Sequence, residues 1–174
     1  KQIAFFTALI TFVLTACAAL LFDADKSGFQ LVERYDWIPL LKIEYLVGVD
    51  GISVLFLPMT GLLTIITMLA SWSAISHSSR FHFSLLLALE SVSIGVFCAL
   101  DTVLFFLFWE LTLPPFFFLI GLWGIGSQRR SAAMKYTLFM LAGGVTLLLA
   151  IIVLATNHAK QIGGQIPNDL TFSL

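Results

Sequence analysis

Five long apolar runs, separated by short polar turns and one long polar segment, set the pattern of this chain. They cover about residues 3–22, 52–72, 81–99, 102–123 and 132–156. Each is close to the roughly 20 residues that a helix needs to cross the hydrocarbon core of a bilayer. The runs are too long for buried strands and lack the strict alternation of a membrane barrel. The pattern predicts an all-α fold, a polytopic transmembrane bundle of about five spanning helices. Residues 23–49 are then an outer loop, 157–174 an outer tail, and residues 1–174 a single bundle.

The polar connections carry finer signals. Asp23, Asp25, Lys26, Ser27 and Gly28 are turn formers. Leu41-Lys42-Ile43-Glu44-Tyr45-Leu46-Val47 alternates partly like a strand, which predicts a short hairpin. Asp50 stands where it can cap the second helix, and Pro58 is placed to kink it. The next turn carries His77, Arg80 and His82. Asp101 is the expected N-cap of the fourth helix, where its charge suits the positive end of the helix dipole. Gly124 and Gly126 end that helix, Arg129 and Arg130 fill the following turn, and Ser131 is placed to cap the fifth. The tail is polar and glycine-rich, contains Pro167, and reads as loop.

Lys1 and the stretch Leu14-Thr15-Ala16-Cys17 have some features of a secretory or lipoprotein signal. The apolar run continues past them to Phe22 and four more runs follow, so the first run reads as a spanning helix. The chain begins on lysine, which leads us to expect a longer protein of which this is a part.

Composition agrees with the pattern. The 174 residues are 59% hydrophobic and 11% charged, with a mean hydropathy of +1.00. A soluble domain of this size has no use for so much apolar surface, which places the chain among integral membrane proteins. The net charge of −1 matters less than where the charges lie. With alternating helices, Lys1, Arg80, Arg129 and Arg130 fall on one side, with Lys135 just inside the bilayer and no acid among them. The other side collects Asp23, Asp25, Glu33, Asp36, Glu44, Asp50, Asp101 and Asp169 against Lys26, Arg34, Lys42 and Lys160. Short basic loops face the cytoplasm, so the N-terminus of the chain is expected inside and its C-terminus outside. There is no basic stripe or tail of a nucleic-acid binder. Cys17 and Cys98 lie in apolar runs without metal-ligand spacing and read as packing residues, so no metal site is expected.

Two acids remain near the middles of apolar runs, Glu90 and Glu110. An unpartnered charge at such depth costs about 2.5 to 3.5 kcal/mol on the insertion scale. It calls for a partner, a hydrated cavity or a bound proton. Either acid can instead be protonated packing glue between helices. Glu90, flanked by Ser91 and Ser93, fits both descriptions. Glu110 is followed by Pro114 and Pro115, which have no N–H, so the carbonyls of Glu110 and Leu111 lose their usual donors. In lipid such groups must be satisfied elsewhere, by water, side chains or a neighbouring helix. A titratable carboxylate and unpaired backbone acceptors thus stand at one depth, as in a hydrated, broken helix that feeds protons to an acid. A plain structural kink after a glutamate is the alternative. Lys135 shares a helical face with Phe139, Ala142 and Thr146, and Ala142-Gly143-Gly144 permits close helix approach. It fits either a lysine snorkelling to the surface or an inward-facing proton site.

These residues match a known pattern. GVDGIS at Gly48–Ser53, IGVFCALD at Ile94–Asp101, FFLFWELTLPP at Phe105–Pro115 and AAMKYTLFMLAGG at Ala132–Gly144 resemble the antiporter-like, proton-translocating membrane subunit of respiratory complex I. That subunit is the M-type chain of bacterial enzymes, the mitochondrial chain 4 type, and the D-type chain of the photosynthetic NAD(P)H dehydrogenase. LTLPPFFF and QRRSAAMKYT are more similar to the D-type chains, including those of inorganic-carbon-uptake variants. The resemblance runs from about Lys1 to Thr156. It implies that Glu110 is the glutamate required for proton transport and that Lys135 is the lysine at the start of the next helix. It also implies no redox centre or cofactor in this chain. Quinone, iron–sulfur clusters and the electron donor, NAD(P)H or ferredoxin, belong to the whole complex. The implied partners are the other membrane-arm subunits and the lipid of a bacterial inner or thylakoid membrane. Family members continue with further helices, which carry the lysine that pairs with the glutamate; those are not in this sequence. Two other readings stand beside it: a subunit of a multi-chain cation/proton antiporter, which shares the glutamate–proline–lysine pattern, and a structural transmembrane scaffold.

Overall fold

A computed structural model describes residues 1–26, 28–161 and 171–172. Helix α1 spans Gln2–Leu21, strand β1 Gln30–Ile38 and strand β2 Ile43–Val49, with one 3-10 turn at Pro39–Leu41 between the strands. The remaining helices are α2 Ser53–Ser71, α3 Ser79–Cys98, α4 Thr102–Leu111, α5 Leu113–Trp123 and α6 Arg129–Gln161. Taking α4 and α5 together as Thr102–Trp123, five helices are long and apolar enough to cross a membrane. Only 11% to 28% of each span is buried within the chain. Most of the helical surface therefore faces outward, as suits lipid or further helices.

The helices pack as sequential neighbours. Ala8, Met68, Phe83 and Leu86, from α1, α2 and α3, form one buried cluster. Val49, Val54 and Leu57 form a second where the hairpin meets α2, backed by Phe22 and Phe97. At one end, the Lys1 ammonium donates to the carbonyls of Trp72 and Ile75 at 2.6 and 2.8 Å, closing the end of α2. Gly95 fixes the crossing of α3 and α4: a Cβ there would sit 2.5 Å from Phe108 Cδ1.

The hairpin is longer than the 41–47 segment suggests. Strand β1 pairs antiparallel with β2, Tyr35 opposite Tyr45, and Arg34 forms an ion pair with Glu44. The inner strand locks onto the α3–α4 link. Leu100 N–H donates to the Leu46 carbonyl at 2.9 Å, and Val47 bridges to Ala99. Asp101 completes the lock. Its Oδ1 accepts from the amides of Val103 and Leu104 at 2.8 and 3.0 Å, which is the expected N-cap. Its Oδ2 accepts from the Glu44 amide at 3.3 Å, and the residue is fully buried.

Other sequence expectations shift by a turn or less. Asp50 stands two residues before Ile52, the N-cap position of α2, and binds the start of the helix from there: its Oδ1 accepts from the amides of Ile52 and Ser53 at 3.1 and 2.6 Å, and its own N–H donates to Ser53 Oγ at 2.9 Å. Hydrogen bonding from the Ser53 amide, and then from its hydroxyl, holds the Asp50 carboxyl below its ordinary value. Pro58 lies inside α2, which runs through it without a break. Helix α3 starts at Ser79, so Arg80 and His82 belong to its first turns and not to the preceding loop. His82 is buried beside the rings of Trp123 and Phe83, at 4.8 and 5.6 Å. Helix α5 ends at Gly124, whose N–H donates to the Ile120 carbonyl at 3.0 Å, and Gly126 turns the chain with φ 103°.

Ser131 is not the cap of α6, because that helix already begins at Arg129. It also runs past 156 to Gln161, so the outer tail does not begin at 157. No proline or glycine intervenes between Thr156 and Gln161, and His158 and Lys160 lie in the last turn, where cations favour the negative end of the helix dipole. Ser27, Pro167 and Asp169 lie outside the described residues. Phe172 returns to the bundle, its carbonyl accepting from Thr102 N–H at 2.8 Å and from Thr102 Oγ1 at 3.0 Å.

Candidate functional site

The fourth span is interrupted at Thr112, between α4 and α5. Pro114 and Pro115 occupy the first turn of α5, where a missing N–H is tolerated best. Residues 114 and 115 would be the helical donors to the carbonyls of Glu110 and Leu111, and prolines cannot donate. Thr112 tightens the join. Its N–H and its hydroxyl both donate to the Trp109 carbonyl, at 3.2 and 2.7 Å. Phe116 N–H then reaches the Thr112 carbonyl at 3.3 Å.

Glu110, the last acid before this break, turns its carboxyl toward α6. A Cβ built on Gly144 would lie 2.8 Å from the Glu110 carboxyl carbon and would overlap Oε1. Glycine is therefore what lets the acid lie between α4 and α6. Around it is a groove of about 390 Å³, lined by Glu110, Leu113, Pro114, Phe117, Thr137 and Leu141 among others. Two polar atoms there are buried without a hydrogen-bond partner among the described residues, Glu110 Oε1 and Thr137 Oγ1. Buried polar groups are nearly always hydrogen-bonded. A carboxyl and a hydroxyl left open on one apolar groove can hold a proton, share a water, or receive a cationic donor from another helix. Among the described residues Glu110 has no ion pair; those present join Lys26 to Asp23 and Arg34 to Glu44.

Lys135 is not brought to Glu110. It is exposed, nine residues from Gly144, which at 3.6 residues per turn is the opposite face of α6. Phe139, Ala142 and Thr146, which share its face, are exposed with it. Glu90 is buried in α3 at 3% exposure, with Oε1 lacking a partner, and it faces a separate groove between α2, α3 and α5. Among the described residues no group of three His, Cys, Asp or Glu side chains is placed to hold a metal ion.

Sequence reasoning missed Thr137 and did not assign Gly144 to Glu110. Their signal was the spacing: Thr137, Leu141 and Gly144 follow one another at four and three residues, a single helical face.

Residues 99–162 match the family described as NADH:quinone oxidoreductase/Mrp antiporter, transmembrane. That segment holds the break, Glu110, both prolines, Lys135 and Gly144. The NAD(P)H-quinone oxidoreductase chain 4-3 of Nostoc sp. is 41% identical over 134 residues, 77% of this chain and 24% of that one. The NADH-quinone oxidoreductase subunit M of Rickettsia typhi is 38% identical over 151 residues, 87% of this chain and 30% of the relative. Among solved structures, a chain of respiratory complex I from Thermus thermophilus with bound NADH superposes with a TM-score of 0.75 at 25% identity, covering 88% of this chain and 32% of that one. The chain thus spans about a quarter to a third of the length of these relatives. Residues 99–162, which carry the glutamate–proline break, thus form a domain of the family described as NADH:quinone oxidoreductase/Mrp antiporter, and most of the chain is similar to the M-type and chain 4 membrane subunits named above.

Proposed function

We propose that this chain forms part of a proton-translocating membrane subunit of a complex-I-like NAD(P)H (or ferredoxin):quinone oxidoreductase, with Glu110 as its proton carrier. The observation that carries this is the Glu110 carboxyl, on a groove at the proline break, with its buried Oε1 lacking a partner among the described residues. An acid inside a membrane span is costly unless it is partnered, and one open on a groove can take a cationic donor from another helix. In this reading the cation comes from a helix beyond this chain, as the family resemblance implies, and Thr137 supplies a hydroxyl to the proton or water bridging them. Lys135, on the outer face of α6, hands protons to or receives them from a neighbouring element. Quinone, iron–sulfur clusters and the electron donor are held by other subunits, and this chain contributes the ion path.

The test is Glu110→Gln in the assembled complex in sealed vesicles. The proton-to-electron ratio should fall while assembly and quinone reduction persist; an unchanged ratio in an assembled variant rejects the role and leaves a scaffold. The family description also names Mrp antiporters, so cation/proton exchange without a redox partner is the second reading. Copurification of iron–sulfur subunits in mild detergent selects the first, and their absence the second. The charge asymmetry supports an orientation with Lys1 and the basic start of α6, Arg129 and Arg130, on the cytoplasmic side. A cysteine replacing Ser127 should then be labelled from that face and one replacing Asp25 only from the other; labelling of both from one face overturns this orientation.

A further inference from the structure

Glu90 lies on the far side of α5 from Glu110. Phe116 and Leu119 of α5 line its groove, whereas Leu113 and Phe117 of the same helix line that of Glu110. The Gly95–Phe108 contact sets the antiparallel register of α3 against α4. Counting from it, Glu90 is level with Leu113, about one helical turn from Glu110 in depth. A buried acid and a half-buried one thus stand at nearly the same level on opposite sides of one helix.

The Glu90 groove, about 550 Å³, is hydroxyl-lined along its length. Thr60, Thr64 and Thr67 of α2 and Ser93 of α3 face it, and the threonine spacing of four and three residues is a helical stripe. Each threonine hydroxyl donates back to its own helix: Thr60 to the Phe56 carbonyl at 2.8 Å, Thr64 to that of Thr60 at 3.0 Å, and Thr67 to that of Leu63 at 2.7 Å. Their donors are used, so the threonine stripe offers the groove only lone pairs, and Ser93 adds a single hydroxyl donor to the lining. An ionised carboxylate is likewise acceptor-only, and acceptors facing acceptors in an apolar span gain nothing. Glu90 is the one ionisable group among the lining residues of α2, α3 and α5, so no cation among the described residues lines the groove to compensate a charge there. A proton on Glu90, or water O–H groups between it and the threonines, supplies the missing donors. At about 30 Å³ per water the groove has room for several, and it offers the two to four polar partners that each needs.

We propose that the α2–α3–α5 groove is a second proton-holding site, in which Glu90 is a neutral acid in contact with water ordered along Thr60, Thr64 and Thr67. This goes beyond the Glu110 reading and does not depend on it, since what is claimed is proton binding and exchange at Glu90. A sealed, glue-like acid would be neutral as well, and exchange separates the two. The assembled complex in its native membranes is moved from H2O to D2O, and the infrared carbonyl band of protonated carboxylic acids is followed. The band component missing in Glu90→Gln should shift in D2O within the mixing time. In Thr64→Val, which keeps the shape and removes the lone pairs, that shift should slow by about tenfold, the effect of losing one hydrogen bond in the water chain. Should Glu90→Gln fail to assemble, Glu90→Asp displaces the same component without removing it, and the comparison stands. A Glu90 component that resists exchange, or that exchanges equally fast in Thr64→Val, overturns the hydrated site. The absence of any protonated component from Glu90 overturns the neutral acid.

Discussion

The Glu110 carboxyl group lies in the space that any side chain at Gly144 would fill. The pair defines how α4 meets α6: the acid of one helix is seated on the bare backbone of the other. In Gly144→Ala the methyl group must displace the carboxyl or separate the helices. We expect a stability loss of about 1 to 3 kcal/mol from overpacking, and a fall in the proton-to-electron ratio while quinone reduction is kept. Gly143→Ala is the control, because a Cβ there meets nothing within 4 Å. If Gly144→Ala pumps like wild type and Gly143→Ala is no different, the seat has no bearing on transport.

Asp101 joins three parts of the fold through one carboxylate: the N-cap of α4, the α3–α4 link and strand β2. Asp101→Ala removes a helix cap, a loss of about 0.5 to 2 kcal/mol, and takes the acceptor from the half-buried Glu44 amide, at a further cost of about 1 kcal/mol. Asp101→Asn retains one acceptor oxygen and should lose less than half as much. Thermal unfolding in mild detergent reads the difference, and proteolysis of the hairpin should accelerate in the alanine variant first. Equal losses in both variants would mean that charge, and not acceptor geometry, is what Asp101 contributes.

The helical spans and their interruption were legible because their causes are local. About twenty apolar residues predict a span, Asp101 before Thr102 predicts a cap, and Pro114-Pro115 predicts a break. The direction of a side chain between helices is not local. Lys135 and Gly144 sit on opposite faces of one helix, and which of the two faces Glu110 depends on where α4 and α5 pack. His82 was assigned to a turn because it is polar, but aromatic neighbours from α3 and α5 cover it. The extent of α6 was underestimated because the polar residues Asn157, His158 and Lys160 look like loop, although none of them stops a helix. The length of the hairpin was hidden for another reason. The exposed residues of β1 show little alternation, and that strand is held chiefly by its partner β2.

Asp50 gives a pH signature outside the membrane span. Its folded carboxyl is held below the ordinary value by hydrogen bonds from Ser53. A depressed folded pKa means that its stabilisation is fully present above the unfolded value, about 3.9, and is lost as pH falls through the lower folded value. The melting temperature of Asp50→Ala should therefore lie below that of wild type by a constant gap from neutral pH down to about pH 4, equivalent to about 1 kcal/mol of cap. The gap should close only in stronger acid. A gap that closes already between pH 6 and 5 would show that another group controls this end of α2.

The prolines separate a hydrated break from an incidental one. Pro114 lines the Glu110 groove and Pro115 is buried, so the pair both interrupts the backbone ladder and shapes the space around the acid. Pro114→Ala/Pro115→Ala restores N–H donors to the carbonyls of Glu110 and Leu111 and should fuse α4 to α5. The gain in helix stability should fall short of the roughly 3 kcal/mol for an interior proline, because both residues lie in the first turn of α5, where proline is tolerated. A continuous ladder across the join would give the Glu110 and Leu111 carbonyls i+4 donors in place of the short contact from Thr112 N–H and leave them less able to bind water at this depth. Single replacements should have weaker effects, since one open carbonyl still binds a water. The double variant should assemble, reduce quinone at nearly the wild-type rate and pump fewer protons per electron. Those quantities are read in sealed vesicles, with assembly checked on native gels. An assembled double variant that pumps at the wild-type ratio would show that the break only shapes the helix, leaving Glu110 alone to carry the proton.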